Sequence, residues 1–157
     1  MNVLIDEKTV SGSKVELSQQ MVPSDANAYG HVHGGTLMKL VDATAGTVAA
    51  RHARHRVATR LVESMSFLAP VKIGDILRVR ASVNDVGRTS MEVGVRVDAE
   101  DLRTGELVHI SSAYLLMVAL DDDGRPVEVP RLIAETSEEK RRMADARARR
   151  AARLGHR

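Results

Sequence analysis

Cysteine is missing from all 157 residues, which removes disulfide frameworks, thiolate nucleophiles and thiolate metal ligands from consideration. Tryptophan is missing as well, and Tyr29, Phe67 and Tyr114 are the only aromatic residues. So few rings cannot supply the successive stacking platforms used to bind single-stranded nucleic acid. No run of about 18 apolar residues reads as a membrane-spanning helix. The opening MNVLIDEKTV has neither a basic n-region nor a continuous apolar h-region, so a soluble, unexported, cytoplasmic protein is expected. No Gly-x-Ser-x-Gly elbow occurs, which takes away the usual scaffold of a serine hydrolase. Positive charge is also scarcer than the total suggests. The formal net charge is +2, but residues 140–157, with eight Lys/Arg against one acid, contribute +7 and leave −5 for the rest. Basic character therefore belongs to the tail, and a mildly acidic body argues against nucleic acid as a partner.

What is present suffices for one domain. A chain of this length with 43% hydrophobic residues can bury a sizeable core, whereas two separate domains would each sit near the lower limit of independent folding. Lys14–Val22 alternates like a half-buried strand, and Pro23–Gly30 is rich in turn formers. From Gly34 or Gly35 to about Ala50 the composition is helical, with only Lys39 and Asp42 charged. A helix apolar all round is usually buried on most sides, and roughly 17 residues would reach about 25 Å, enough to cross a small sheet. Val57–Phe67, Ile76–Val86, Ser90–Glu100 and Leu107–Leu120 then read as strands. Short links containing Gly74-Asp75, Gly87-Arg88 and Thr104-Gly105 favour antiparallel pairing. Thr136 with Glu139 resembles a capping box, so a terminal helix should run to about Leu154. The pattern is α+β, one sheet covering one central helix, and its free edge strand points to an obligate oligomer. The expected organisation is an extension over residues 1–13, a domain over 14–132 and a basic helical tail over 133–157.

Asp42 is the sharpest anomaly. It is the only acid in the expected buried helix, and an isolated carboxylate on that face needs a partner, a water-filled site or a chemical task. It could equally be a structural acid bonded to a loop amide or to an arginine of another subunit. Asn27, in the preceding loop, could orient a water or a carbonyl, or hold its own turn. Gly34 and Gly35 leave their amides open to a ligand at a helix N-terminus, where negative charge is favoured, although the pair could also serve tight packing. His31 and His33 make a poor zinc signature, lying two apart in a loop with no ligand pattern nearby, and no metal is expected. His52 and His55, at the helix end, are expected to interact with its last carbonyls. Gly87-Arg88-Thr89-Ser90 offers a guanidinium, hydroxyls and amides that could hold phosphates, or forms a solvated hairpin. The arginines of the tail read as a solvated face, with an acidic ligand or another subunit as the alternative.

Several collinear stretches are specific enough to identify a family. They are Asp25-Ala-Asn27-Ala-Tyr-Gly-His-Val-His-Gly-Gly35, Leu37-Met-Lys-Leu-Val-Asp42, Arg51-His52, Phe67-Leu-Ala-Pro-Val-Lys-Ile-Gly-Asp75 and Val86-Gly-Arg-Thr-Ser-Met-Glu-Val93, followed by Asp121–Pro126 and Val129–Leu132. Together, over approximately residues 17–154, they resemble the cytosolic acyl-CoA thioester hydrolase family. The resemblance implies a hotdog fold, in which a five- to six-stranded antiparallel sheet wraps one long helix, with a C-terminal helix added. It implies hydrolysis of acyl-CoA to fatty acid and CoA with no cofactor beyond the CoA of the substrate. It also implies a dimer, or a hexamer built as a trimer of dimers, whose sites pair Asn27 of one chain with Asp42 of the other. Gly34 and Gly35 would lie near the thioester, with Val86, Gly87, Arg88, Thr89 and Ser90 near pantetheine or phosphates, and Thr59 and Phe67 as flanking contacts. His33 stands where many members carry an aromatic residue, which bears on acyl selectivity. A hydratase using His31 or His33, an acyl-CoA sensor, and an RNA-associated protein led by the tail are the competing readings.

Overall fold

Residues 7–155 are described by the computed structural model, in which the alternating segments become a sheet wound over one helix. In chain order the elements are β1 (Glu7–Thr9), α1 (Val10–Ser13), β2 (Val15–Gln20), α2 (Gly34–Ala53), β3 (Arg56–Glu63), β4 (Ile76–Val86), β5 (Ser90–Glu100), β6 (Leu107–Leu120), β7 (Arg131–Ile133) and α3 (Ser137–Gly155). Five strands form one antiparallel sheet in the order β2-β4-β5-β6-β3. The period-2 pattern sets the register: Leu77, Val79, Ala81 and Val83 of β4 lie opposite Ala99, Val97, Val95 and Val93 of β5. That row continues through Ala113, Leu115, Met117 and Ala119 of β6, and all of these residues are buried. Against them α2 lays Leu37, Val41, Ala45, Val48 and Ala49, also buried, at the spacing of one helical stripe. Burial of each Val or Leu contributes about 1.5–3 kcal/mol, so this seam is the core.

The covering of α2 differs from the expectation of a helix buried on most sides. The sheet covers one face only, and Met38, Lys39, Asp42, Ala43 and Thr47 on the other remain exposed in a single copy. The helix also runs three residues further than expected, to Ala53, and stops where Arg54 takes the left-handed conformation (φ 56°) with its N–H on the Ala50 carbonyl. β3 is shorter than expected, the chain leaving the sheet at Ser64 (φ 57°). Within β3, pairing with β6 shifts between Thr59 and Leu61, making Arg60 the extra residue of a bulge; such bulges re-aim the flanking side chains.

Two features outside the main sheet tie the chain ends to it. β1 pairs in parallel with β7, Lys8 lying opposite Leu132, and the Lys8 ammonium donates to the Arg51 and His52 carbonyls at the end of α2 (2.7 and 3.0 Å). α3 begins with the Glu139 N–H on Thr136 Oγ1 (3.1 Å), as the capping pattern predicts. The helix then packs on the outer face of the sheet. Arg149 forms a two-pronged bond with Glu92 (2.8 and 2.9 Å) and lies 3.7 Å above the Tyr114 ring. Asn84 supplies Glu92 with a further donor at 3.1 Å. Arg153 bonds Glu63 at 2.8 Å, and Arg147 and Arg150 face the buried Asp85. Only part of the tail is a solvated basic face: Lys140, Arg141 and Arg142 are exposed, whereas Arg149, Arg150 and Arg153 meet acids on the sheet. Among the described residues no helix is long and apolar enough to cross a membrane.

Candidate active site

Asp42 lies on the uncovered face of α2, where its carboxylate oxygen Oδ1 accepts a 2.5 Å hydrogen bond from the Thr59 hydroxyl. A bond this short is typical of a hydroxyl donating to an ionised carboxylate. Thr59 precedes the bulge in β3, so the irregularity that turns Arg60 away also fixes the hydroxyl against the acid. The sequence marks Thr59 only as a flanking contact and does not foresee this bond. With Asp42 at the surface of the single chain, a carboxylate on an otherwise apolar helix incurs no burial cost unless a second molecule covers it.

Ahead of the helix, the loop holding Asn27 is tightly closed. Asn27 N–H donates to the His31 carbonyl (2.7 Å), and its side-chain Oδ1 accepts from the N–H groups of Tyr29 and His31 (2.9 and 3.2 Å). Two backbone donors can be accepted only by the amide oxygen, which fixes the orientation of the side chain. Its Nδ2 is left as a donor with no hydrogen bond among the described residues. The turn-holding reading of Asn27 is met by its oxygen, which leaves Nδ2 available as a donor.

The helix N-terminus adds further donors. His33 is the N-cap and makes no side-chain capping bond; its carbonyl takes the N–H groups of Thr36 and Leu37. The N–H groups of Gly34 and Gly35 stay free, as the first amides of a helix do unless something caps them. A side chain at Gly35 would meet nothing within 4 Å, while one at Gly34 would contact the Phe67 ring at 3.6 Å. Phe67 thus walls one side of the helix start and Gly35 leaves the other open. His31 and His33 are exposed on the same loop. His52 does not reach the last carbonyls of the helix: it is buried, with Nε2 2.8 Å from the Pro130 carbonyl. Burial pushes its pKa below the ordinary imidazole value; the bond to Pro130 opposes this, and the Lys8 ammonium adds to it. Lys8 performs the capping expected of the histidines.

The β4–β5 hairpin shares a cleft with Arg60 and Leu61 of β3. Gly87 N–H closes it on the Ser90 carbonyl (2.8 Å), and the Arg88 and Thr89 carbonyls accept from Val129 and Ala119 (both 3.0 Å). Two of the clefts on the single chain hold about 660 and 530 Å³. Neither is lined by Asn27, Gly34, Gly35, Asp42 or Thr59; the hairpin borders the smaller. Asp42 lies eight residues beyond Gly34, a rise of roughly 12 Å along the helix. The Gly34 amide and the Asp42 carboxylate of one copy are thus too far apart to act on one small group.

Comparison with known proteins gives this arrangement a context. The thioesterase superfamily matches residues 29–106. Cytosolic acyl coenzyme A thioester hydrolase of Rattus norvegicus is 34% identical over 96% of this chain, which spans 41% of that longer protein. An acyl-CoA thioesterase crystallised as an apo hexamer superposes with a TM-score of 0.92 at 36% identity, covering 97% of each chain. Acyl-CoA hydrolase of Staphylococcus aureus, solved in complex with butyryl coenzyme A, coenzyme A and coenzyme A disulfide, superposes at 0.87 and 37% identity, covering 96% of this chain and 92% of that one. Further structures of the latter carry alanine in place of one aspartate, one asparagine and one threonine, the residue types found here at Asp42, Asn27 and Thr59.

Proposed function

The chain belongs to the acyl-CoA thioester hydrolases of the thioesterase superfamily, and from that premise we propose that it hydrolyses acyl-CoA to a free fatty acid and coenzyme A in sites shared by two copies. Each site takes Asn27, Gly34 and Gly35 from one copy and Asp42 with Thr59 from the other. The observation that carries this reading is the separation just described, since one copy exposes a held carboxylate and a free helix-start amide that it cannot bring together. A second copy reconciles them. The hexameric relative supports self-association, and the dimer as the unit within a trimer of dimers is part of this proposal. The cytosolic relative supports a cytoplasmic enzyme.

The chemistry follows from the groups. The thioester oxygen receives the Gly34 and Gly35 N–H groups and Asn27 Nδ2, at the positive end of the α2 dipole. Asp42, held by Thr59, accepts a proton from water as the water oxygen attacks the carbonyl carbon. The tetrahedral oxyanion then collapses, the C–S bond breaks, and the proton returns from Asp42 to the departing sulfur. Direct attack by Asp42, giving an acyl anhydride that water opens, is the variant route. Val86 to Ser90 and Phe67 flank the CoA arm. Water and these groups suffice for the reaction, with CoA entering as substrate and leaving as product.

A positioned base contributes roughly a hundredfold to ten-thousandfold, and one oxyanion donor about 3 kcal/mol. Thiol release from acyl-CoA should therefore fall at least a hundredfold in Asp42→Asn and about a hundredfold in Asn27→Ala, at unchanged oligomer size and melting temperature. Full activity in Asp42→Asn would overturn the mechanism. Consumption of an enoyl thioester without thiol release would redirect the function to hydration.

A further inference from the structure

The uncovered face of α2 has an order that bears on the acyl half of the substrate. Gly35, Met38, Asp42 and Gly46 follow one another at three- and four-residue steps, which puts them on one stripe of the helix. Met38 is the one large apolar side chain that α2 exposes among the described residues, and it stands between the free amides and the carboxylate. Symmetry fixes what it meets. When Gly34 of one copy faces Asp42 of the other across a twofold axis, Asp42 of the first faces Gly34 of the second, and the two helices run antiparallel. The residue midway between Gly34 and Asp42 then lies opposite itself, and that residue is Met38. The two sites fall on either side of it, each roughly 6 Å along the helix from the axis.

Direction along the stripe separates the two halves of the substrate. Beyond Asp42 lies Gly46, where an added Cβ would stand 3.8 Å from the end of the Met117 side chain. Met117 pairs with Met91, the neighbour of Ser90 in the β4–β5 hairpin. The Gly46 side of Asp42 therefore leads to the hairpin that flanks the CoA arm, and the bare glycine leaves room for that arm to pass. The Met38 side leads to the axis. A thioester carbonyl carries its sulfur and its acyl chain on opposite sides, so with the CoA arm on the first side the acyl chain runs along the second. Resting on the shared-site reading above, we propose that Met38 and its twofold counterpart close the acyl channel from both copies and set the chain length accepted. An unbranched thioether suits this place, because it is apolar and adjusts its shape to whatever it meets.

The chain has no cysteine, so one introduced thiol reads the symmetric contact in the full chain and its native oligomer. Met38→Cys should give a covalent dimer with diamide, which needs Cα atoms within about 7 Å, or with a short bismaleimide. Thr47→Cys, exposed on the same helix but roughly 13 Å along it from the axis, should give none. Chain length is read as thiol release from a series of saturated acyl-CoAs. The kcat/KM ratio of a long to a short acyl group should rise about ten- to a hundredfold in Met38→Ala and fall by a similar factor in Met38→Phe, the range that a methylene or two commands in an apolar pocket. No cross-link from Met38→Cys, or one equally fast from Thr47→Cys, would overturn the placement at the axis. A chain-length profile that both the Ala and Phe variants leave unchanged, or lower equally at every length, would overturn the gating role. If the wild type releases thiol from no acyl-CoA, the hydrolase reading fails and the gating role with it, whatever the cross-link shows.

Discussion

Asp42 and Thr59 set the residue-scale question of what a single hydroxyl does for a carboxylate. An exposed aspartate samples several rotamers, and a 2.5 Å bond from Oγ1 selects one and occupies one oxygen, leaving the other for water. A hydrogen bond to a charged group is worth about 1.5–3 kcal/mol, so removing it should cost roughly ten- to a hundredfold in rate. Thr59→Val, which keeps the shape and β-branching of the side chain, should lower kcat by that factor with little change in KM. Thr59→Ser should restore most of it. A KM effect equal in Val and Ser variants would mean that the threonine contacts substrate rather than positioning the base. Asp42 was legible in the sequence because an acid in an apolar helix stands out. Its partner was not, since nothing in the sequence around Thr59 says that its hydroxyl meets a residue 17 positions earlier, and the bulge at Arg60 that flanks it has no sequence signature.

At the scale of elements, the anchoring of α3 shows why a charge run resists interpretation from sequence. Three-residue and four-residue spacings on a helix reveal which residues share a face but not what lies opposite. Glu92, 57 residues before Arg149, is an acid on the outer face of β5 whose side chain, covered by α3, is 3% exposed, and nothing local connects the two. The long strands were legible because alternation over eleven to fourteen residues is a strong signal; β4, β5 and β6 fall at the expected bounds. β1 and β7, of three residues each, carry no periodicity to read, so the parallel clip between the chain ends was invisible. Removing one partner of a buried pair strands the other and costs about 3–5 kcal/mol, whereas replacing both with apolar residues is often neutral. Arg149→Leu should thus lower the denaturant midpoint markedly, and Arg149→Leu combined with Glu92→Leu should recover most of it. An unchanged midpoint in the single variant would show that the pair does not secure α3 to the sheet.

For the molecule as a whole, the exposed surface argues that one copy is incomplete. Tyr29 is 87% exposed, Met38 49% and Phe67 47%; all three lie in or beside the α2 segment that carries the donors and Asp42. β3 is an edge strand with Leu61 and Val62 exposed, and an apolar edge of that length invites pairing with another chain. A twofold arrangement would bring the helix start of each copy to the Asp42 face of the other, because an isologous contact repeats every cross-interaction twice. This geometry can be tested by complementation. Asp42→Asn keeps its Asn27 and Asn27→Ala keeps its Asp42, so each homodimer lacks a complete site. When the two chains are co-expressed and assort at random, half of the dimers are mixed, and each mixed dimer holds one site with both native groups. Thiol release should therefore rise from near zero in either variant alone to about a quarter of wild type in the mixture. A site built within one chain contains a defect in every copy whatever the pairing, so a mixture no more active than its components would place both groups in the same subunit.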